Sequence, residues 1–190
     1  DAPITPIDAG GFGSHSSLFV VDGHPAISFY NHFDGDLQYI RSVDPQGVDW
    51  GTVIQTPDSS GNVGSYTCLA LIAGSPAISY VNESTGEPRY VRATDAIGTS
   101  WATPVTLNSD IPISGTLSLA TVDGMPAVCY GASPQGELRF QRAVDMEGAA
   151  WDIPESLSTL AGGCSLAVIA GMPVIAFTQI VGGGELSCSQ

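Results

Sequence analysis

Three histidines, His15, His24 and His32, fall within eighteen residues of one another, and imidazoles so close in sequence raise the question of a metal site. None stands at HxH or HExxH spacing. On the strand pattern described below, His15 precedes a strand, His24 follows a hairpin turn and His32 lies in the opposite loop. They are therefore expected not to converge and to be exposed loop residues. Asp22-Gly23 and Asp34-Gly35-Asp36 place carboxylates close together, as calcium ligands require, but the full spacing of a calcium loop is absent and ordinary turn chemistry explains both. No metal or cofactor is expected, with calcium as the alternative. Cys68, Cys129, Cys164 and Cys188 show neither CxxC nor Cys/His spacing and occupy non-equivalent places in the repeat. This argues against zinc and leaves zero, one or two disulfides, or buried thiols, open.

The most ligand-like set is Asn31, His32, Phe33 and Asp34, which joins a ring suited to stacking with hydrogen-bonding groups. Asn82 and Glu83 hold the matching place one repeat later. The third copy of this loop is Ala132-Ser133-Pro134-Gln135, and such variable loops on a rigid scaffold are the usual seat of recognition. An ordinary solvated loop is the competing reading.

The charge balance excludes whole classes of partner. All five basic residues are arginines (Arg41, Arg89, Arg92, Arg139 and Arg142), and the formal net charge is −14. Nucleic-acid binding needs a basic footprint that exchanges for counterions, and none exists. The same acidity repels anionic membranes, and no apolar run approaches the roughly 20 residues that cross a bilayer. A lysine-free acidic surface suits a secreted or salt-tolerant protein. Asp1-Ala2-Pro3-Ile4 shows neither the basic nor the apolar segment of a signal peptide, which a mature secreted chain would have lost.

The elements that position these residues follow from an internal repeat. PAISFY at Pro25 returns as PAISY at Pro76, PAVCY at Pro126 and PVIAF at Pro173, and Trp50, Trp101 and Trp151 keep the same period of about fifty. Each unit reads as four strands. An apolar first strand (from Leu18, Leu69, Leu119 or Leu166) ends in Asp-Gly or Ala-Gly, a two-residue hairpin signal. The second strand opens on the repeated proline, and the third (LQYIR, PRYVR, LRFQR, LSCSQ) alternates with period two. A fourth, weaker strand follows the tryptophan. With 23 glycines and 13 prolines among 190 residues, many short strands fit and helices do not.

The expected fold is therefore all-β, a small β-propeller of about four four-stranded blades in a single domain over 1–190. Its units span approximately 16–57, 67–108, 117–158 and 165–190. The last unit stops within its third strand, and Pro3-Ile4-Thr5 aligns on Pro104-Val105-Thr106. Residues 1–7 are therefore expected to complete the fourth blade and close the ring; a piece of a longer propeller is the alternative.

Between third and fourth strands each complete unit carries an aspartate, a glycine and a tryptophan in one hairpin: Asp44, Gly47 and Trp50; Asp95, Gly98 and Trp101; Asp145, Gly148 and Trp151. This resembles the Asp-box hairpin of sialidase-like propellers, with one extra residue before the glycine. In that family the box is structural and lies away from the active site. The whole unit is similar to repeats of uncharacterised secreted bacterial proteins, G-x-P-A-I-S-Y, G-x-L-x-Y-x-R-A, D-x-x-G-x-x-W, which implies an extracellular propeller and no particular activity. Physically, the aspartate accepts turn amides, the glycine takes a strained φ and the indole fills the space between sheets. Arg41, Arg92 and Arg142 stand three residues before the aspartate and are expected to pair with it or with a neighbouring blade.

A sialidase needs several arginines converging on one carboxylate, with a tyrosine and acidic partners. Here the arginines fall on repeat-equivalent places, and four blades are fewer than the six such enzymes use. The expected function is non-catalytic binding of a glycan or protein partner through the loops, outside the cell. A structural or self-associating module, with homo-oligomers, comes second, and a fragment of a sialidase-like glycoside hydrolase third.

Overall fold

The computed structural model describes residues 4–7, 12–132, 136–159, 161–179 and 185–189. They form antiparallel sheets and no helix. Three sheets have four strands: β1 (Phe12–Val21), β2 (His24–Asn31), β3 (Asp36–Arg41) and β4 (Gln55–Asp58); β5 (Val63–Ile72), β6 (Ser75–Asn82), β7 (Glu87–Arg92) and β8 (Val105–Thr106); β9 (Ile113–Val122), β10 (Met125–Ala132), β11 (Glu137–Arg142) and β12 (Glu155–Ser158). The fourth has three: β13 (Ala161–Ile169), β14 (Met172–Gln179) and β15 (Glu185–Ser189).

The first two strands of each sheet are joined by the expected two-residue turn. Asp22, Ala73, Asp123 and Ala170 take φ of 48°, 45°, 49° and 53°, each followed by a glycine of positive φ. That is the type I′ geometry whose twist matches the flanking strands. The inner strands start five or six residues earlier than the apolar runs suggest, because bulges near residues 13–17, 63–68 and 113–117 carry polar residues through the ladder.

The sheets stack side by side through their inner strands, β1 on β5, β5 on β9 and β9 on β13. The core lies between sheets. Val21, Ala26, Leu37 and Tyr39 of the first sheet meet Leu69, Ile78, Tyr80 and Val91 of the second, and equivalent residues meet at the next two boundaries. The same hydrogen bond recurs at all three: the Leu69 amide donates to Ser17 Oγ (3.0 Å), Leu119 to Cys68 Sγ (3.4 Å) and Leu166 to Ser118 Oγ (2.9 Å).

The aspartate hairpins of the second and third sheets clamp each to the sheet before it. Asp95 accepts from the amides of Ile97, Gly98, Thr99 and Ser100 and from the Thr99 hydroxyl. Asp145 and Asp44 hold their turns in the same way. Burial alone would raise Asp95; the hydroxyl and amide donors overcome it and hold the carboxyl at about 2. The indoles of Trp50, Trp101 and Trp151 donate to the carbonyls of Gly47, Gly98 and Gly148 at 2.8, 3.0 and 2.8 Å. Trp101 and Trp151 then pack edge-on against Tyr39 and Tyr90 of the preceding sheet, both at 5.2 Å. Those tyrosines donate to Ile97 O and Glu147 O inside the hairpin. Gly98 and Gly148 are dictated twice over, by φ of 83° and 78° and because a Cβ there would come within 2.6 and 2.5 Å of the tyrosine rings.

The arginines have a different partner from the aspartates proposed for them. Arg41 Nε and Nη2 donate to the carbonyls of Val21 and Asp22, and Arg92 does the same to Ile72 and Ala73. Arg142 pairs with Asp123 at 3.0 Å. Each reaches across its own sheet to the first hairpin, because the hairpin aspartate is already saturated by amides. Arg92 also reaches the neighbouring sheet, 3.7 Å from Glu147.

The expected pairing of residues 1–7 with the fourth sheet is not seen among the described residues. Residues 1–3 lie outside them, residues 4–7 form no strand, and Ile7 packs on the outer face of the first sheet against Phe29, Ile40 and Trp50. That face, which in the other sheets meets a predecessor, has no other described cover, so burial there is what the apolar Ile7 gains. Among the described residues, no inner-strand packing comparable to the other boundaries joins the fourth sheet to the first.

Candidate functional site

At one end of the stack lie the turns between second and third strands and the links from each sheet to the next. The Val63 amide donates to Gly35 O and that of Ile113 to Gly86 O, both at 2.8 Å, tying link to turn. The aspartate hairpins occupy the opposite end.

The first of these turns is locked by Asn31, which is fully buried. Its Oδ1 accepts the Phe33 amide at 3.0 Å, its Nδ2 donates to Asp34 Oδ2 at 2.7 Å, and its carbonyl accepts the Gly35 amide at 2.9 Å. Asn82 builds the second turn alike, accepting the Ser84 amide at 3.0 Å and the Gly86 amide at 2.7 Å. Both asparagines are committed to turn geometry. What the turns display differs. Glu83 and Ser84 are exposed on the second; His32 and Phe33 are exposed on the first, with Phe33 72% accessible. Residues 133–135, the core of the third loop, lie outside the described residues.

Beside this turn is a group of rings. His32 packs edge-on to Tyr30 at 5.5 Å, and His15 lies 6.4 Å from Tyr30 and 4.3 Å from Tyr66. The Tyr30 hydroxyl donates to Asn62 Oδ1. Two histidines expected to lie apart thus flank one ring. The reason is the longer inner strand: His15 is inside β1, where Ser14 pairs with Tyr30. His24 is elsewhere, its Nδ1 2.9 Å from Ser42 O. No cluster of three or more metal-ligating side chains occurs among the described residues.

Acidic and basic groups border this end. Asp58, buried, accepts from the Tyr80 hydroxyl (2.6 Å), Ser60 (2.6 Å) and Arg89 (3.2 Å). Burial raises its pKa, but the donors Ser60 and Tyr80 prevail and the carboxyl stays ionised. One sheet on, Asn108 stands where Asp58 does and Asp110 where Ser60 does; Asp110 pairs with Arg139 at 3.0 and 3.1 Å, and burial pushes the Tyr130 hydroxyl up to about 12. Asp36 is raised by burial and then by the charges of Asp34 and Asp58. Arg139 and Asp110 also edge a cleft of about 540 Å³ between second and third sheets, with Asn108, Gln141 and Trp151 on its walls. Arg89 and Arg139 were missed as site residues, although the first arginine of PRYVR and LRFQR recurs at the same period.

Four-strand antiparallel units, stacked through their inner strands with variable turns at one end, define a β-propeller-type fold. No protein-family model and no curated protein matches the chain. Solved structures do. Trypanosoma rangeli sialidase is 14% identical with a TM-score of 0.59, over 94% of this chain and 36% of that one. An α-L-arabinofuranosidase from Podospora anserina, in complex with cellotriose, is 11% identical with a TM-score of 0.59, over 95% and 64%. An exo-β-1,3-galactanase from Phanerochaete chrysosporium, with galactose, is 8% identical with a TM-score of 0.62, over 91% and 44%. The chain therefore spans less than two thirds of these structures, and likeness at such identity establishes the fold alone. It agrees with the distant resemblance to sialidase-like propellers carried by the aspartate hairpins. No helix among the described residues is long and apolar enough to cross a membrane.

Proposed function

We propose that this chain is a non-catalytic, extracellular propeller module that binds a carbohydrate at the loop end of its first sheet. The observation that carries the reading is the contrast between two turns built on one lock, only one of which displays His32 and Phe33. An aromatic face held by a buried asparagine offers a sugar ring a stacking surface with little ordering cost, and the Asp34 and Asp36 carboxylates supply acceptors for hydroxyls. The sugar complexes of fold neighbours favour a glycan over a protein as the ligand. A glycan array followed by calorimetry tests this. Binding of at least one glycan, weakened tenfold or more by Phe33→Ala, is expected; an array without hits, or affinity indifferent to that change, sinks it.

A second reading is a self-associating structural module. It is favoured by the outer sheets, where Leu18 is 67% exposed against 3%, 6% and 7% for Leu69, Leu119 and Leu166, and Ile169 is 60% exposed against 0%, 0% and 2% for Val21, Ile72 and Val122. Light scattering separates the readings, because a concentration-independent monomer removes this one. A fragment of a sialidase-like hydrolase ranks third, and fluorogenic sialosides test it directly.

A further inference from the structure

Two thiols meet where the third sheet packs on the fourth. Cys129 on β10 is fully buried, and its Sγ lies 2.8 Å from Cys164 Sγ on β13, both thiols being free. The repeat places equivalent positions at this point of the other two boundaries. Between first and second sheets they are Ser28 and Thr67, hydroxyl to hydroxyl at 2.9 Å. Between second and third the equivalent positions are Ser79 and Leu117, and the Ser79 hydroxyl is buried without a hydrogen-bond partner among the described residues. The third boundary alone carries two groups able to join covalently.

We propose that Cys129 and Cys164 are a site of reversible disulfide formation that fastens the fourth sheet to the third. The sulfurs need approach by only ~0.8 Å to reach the roughly 2.05 Å of a disulfide. Cys164 is half-buried and reachable by a small disulfide oxidant, whereas Cys129 is sealed. The Cys164 thiolate attacks the oxidant RSSR, forming a mixed disulfide and releasing one RSH. Cys129 then attacks the Cys164 sulfur and releases the second RSH. The two thiol protons and two electrons of the cysteines end on the two RSH molecules. The Cys68 sulfur accepts the Leu119 amide at 3.4 Å.

The fastening acts where the stack is least secured. Among the described residues the fourth sheet has three strands, and its outer surface shows Ile169 and Met172 at 60% and 59% exposure. A cross-link there removes freedom from the unfolded chain and from opened forms in which the fourth sheet detaches.

Incubation of the chain with oxidised glutathione, followed by maleimide tagging and tryptic mass spectrometry, tests the proposal. Cleavage after arginine leaves Cys129 as the sole cysteine of 93–139, and 143–190 holds Cys164 and Cys188. The expected product joins these peptides, persists in Cys188→Ser, vanishes in Cys164→Ser and returns to four thiols with dithiothreitol. Hydrogen exchange across 161–179 should slow at least tenfold in the oxidised form and recover on reduction. The double variant C129S/C164T, which copies the Ser28–Thr67 pair, is the folded control and should show no redox response. Four unreacted thiols after oxidation, a link that survives Cys164→Ser, or exchange indifferent to oxidation overturns the proposal.

Discussion

The two ends of this stack of sheets are built to different rules. At the hairpin end, Asp95, Gly98 and Trp101 repeat in place and bonding as Asp145, Gly148 and Trp151, and each set clamps a tyrosine of the preceding sheet. At the loop end, Asn31 and Asn82 make the same lock but show different residues to solvent. Uniformity marks what the first two boundaries share in packing. Variation over a fixed backbone marks what packing leaves free, so recognition belongs at the loop end.

Substitutions should divide along this line. The largest effect is expected for Gly98→Ala, which drives a methyl into the Tyr39 ring in a backbone conformation alanine resists. Chemical denaturation should show a loss of about 3 kcal/mol or more; a loss below 1 would make the clamp dispensable. Acid comes next. The Asp95 carboxyl titrates at about 2 when folded, below its ordinary value of 3.8, so its stabilisation is fully present above about pH 4 and is lost as pH falls toward 2. Asp44 and Asp145 are lowered too and act in the same direction. Asp95→Asn should therefore flatten the dependence of the melting temperature on pH between 4 and 2, and a slope equal to the unaltered chain's contradicts this.

Phe33→Ala sharpens the contrast from the other side. It should weaken glycan binding by about 1.5 kcal/mol while changing stability by less than about 0.5. A stability loss as large as that of Gly98→Ala would make Phe33 a packing residue and erase the distinction between the ends. The smallest effect is expected at Ala73, a non-glycine residue at φ 45° in the first hairpin of the second sheet. Ala73→Gly should raise stability by about 0.5–1 kcal/mol, because the left-handed conformation costs alanine roughly 1–2 kcal/mol and the greater freedom glycine loses on folding offsets part of that; a lower melting temperature argues that the turn is unstrained.

Much of this was legible in the chain itself. PAISFY and its copies placed the second strands, the Asp-Gly and Ala-Gly pairs placed the hairpins, and the spaced tryptophans placed the clamps. Local chemistry suffices there, since turn type and alternation are set within a few residues. The aromatic group of His15, Tyr30, His32 and Tyr66 was not legible. It needed the bulged start of β1, where His15 at φ 54° enters the ladder beside Tyr30, and no apolar pattern marks a bulge. The arginine partners escaped for a related reason. A guanidinium that crosses a whole sheet to reach Val21 O or Ile72 O leaves no trace in local spacing.

Repetition in the sequence by itself determined that the chain folds as antiparallel units of one design, because a period of about fifty in turn and apolar residues admits one way of burying each sheet against the next. The tertiary structure alone decided which residues face one another across boundaries. Ser28 meets Thr67 and Cys129 meets Cys164 because strands from different units are brought into lateral register by inter-sheet packing, and that register is written in no stretch of sequence short enough to read.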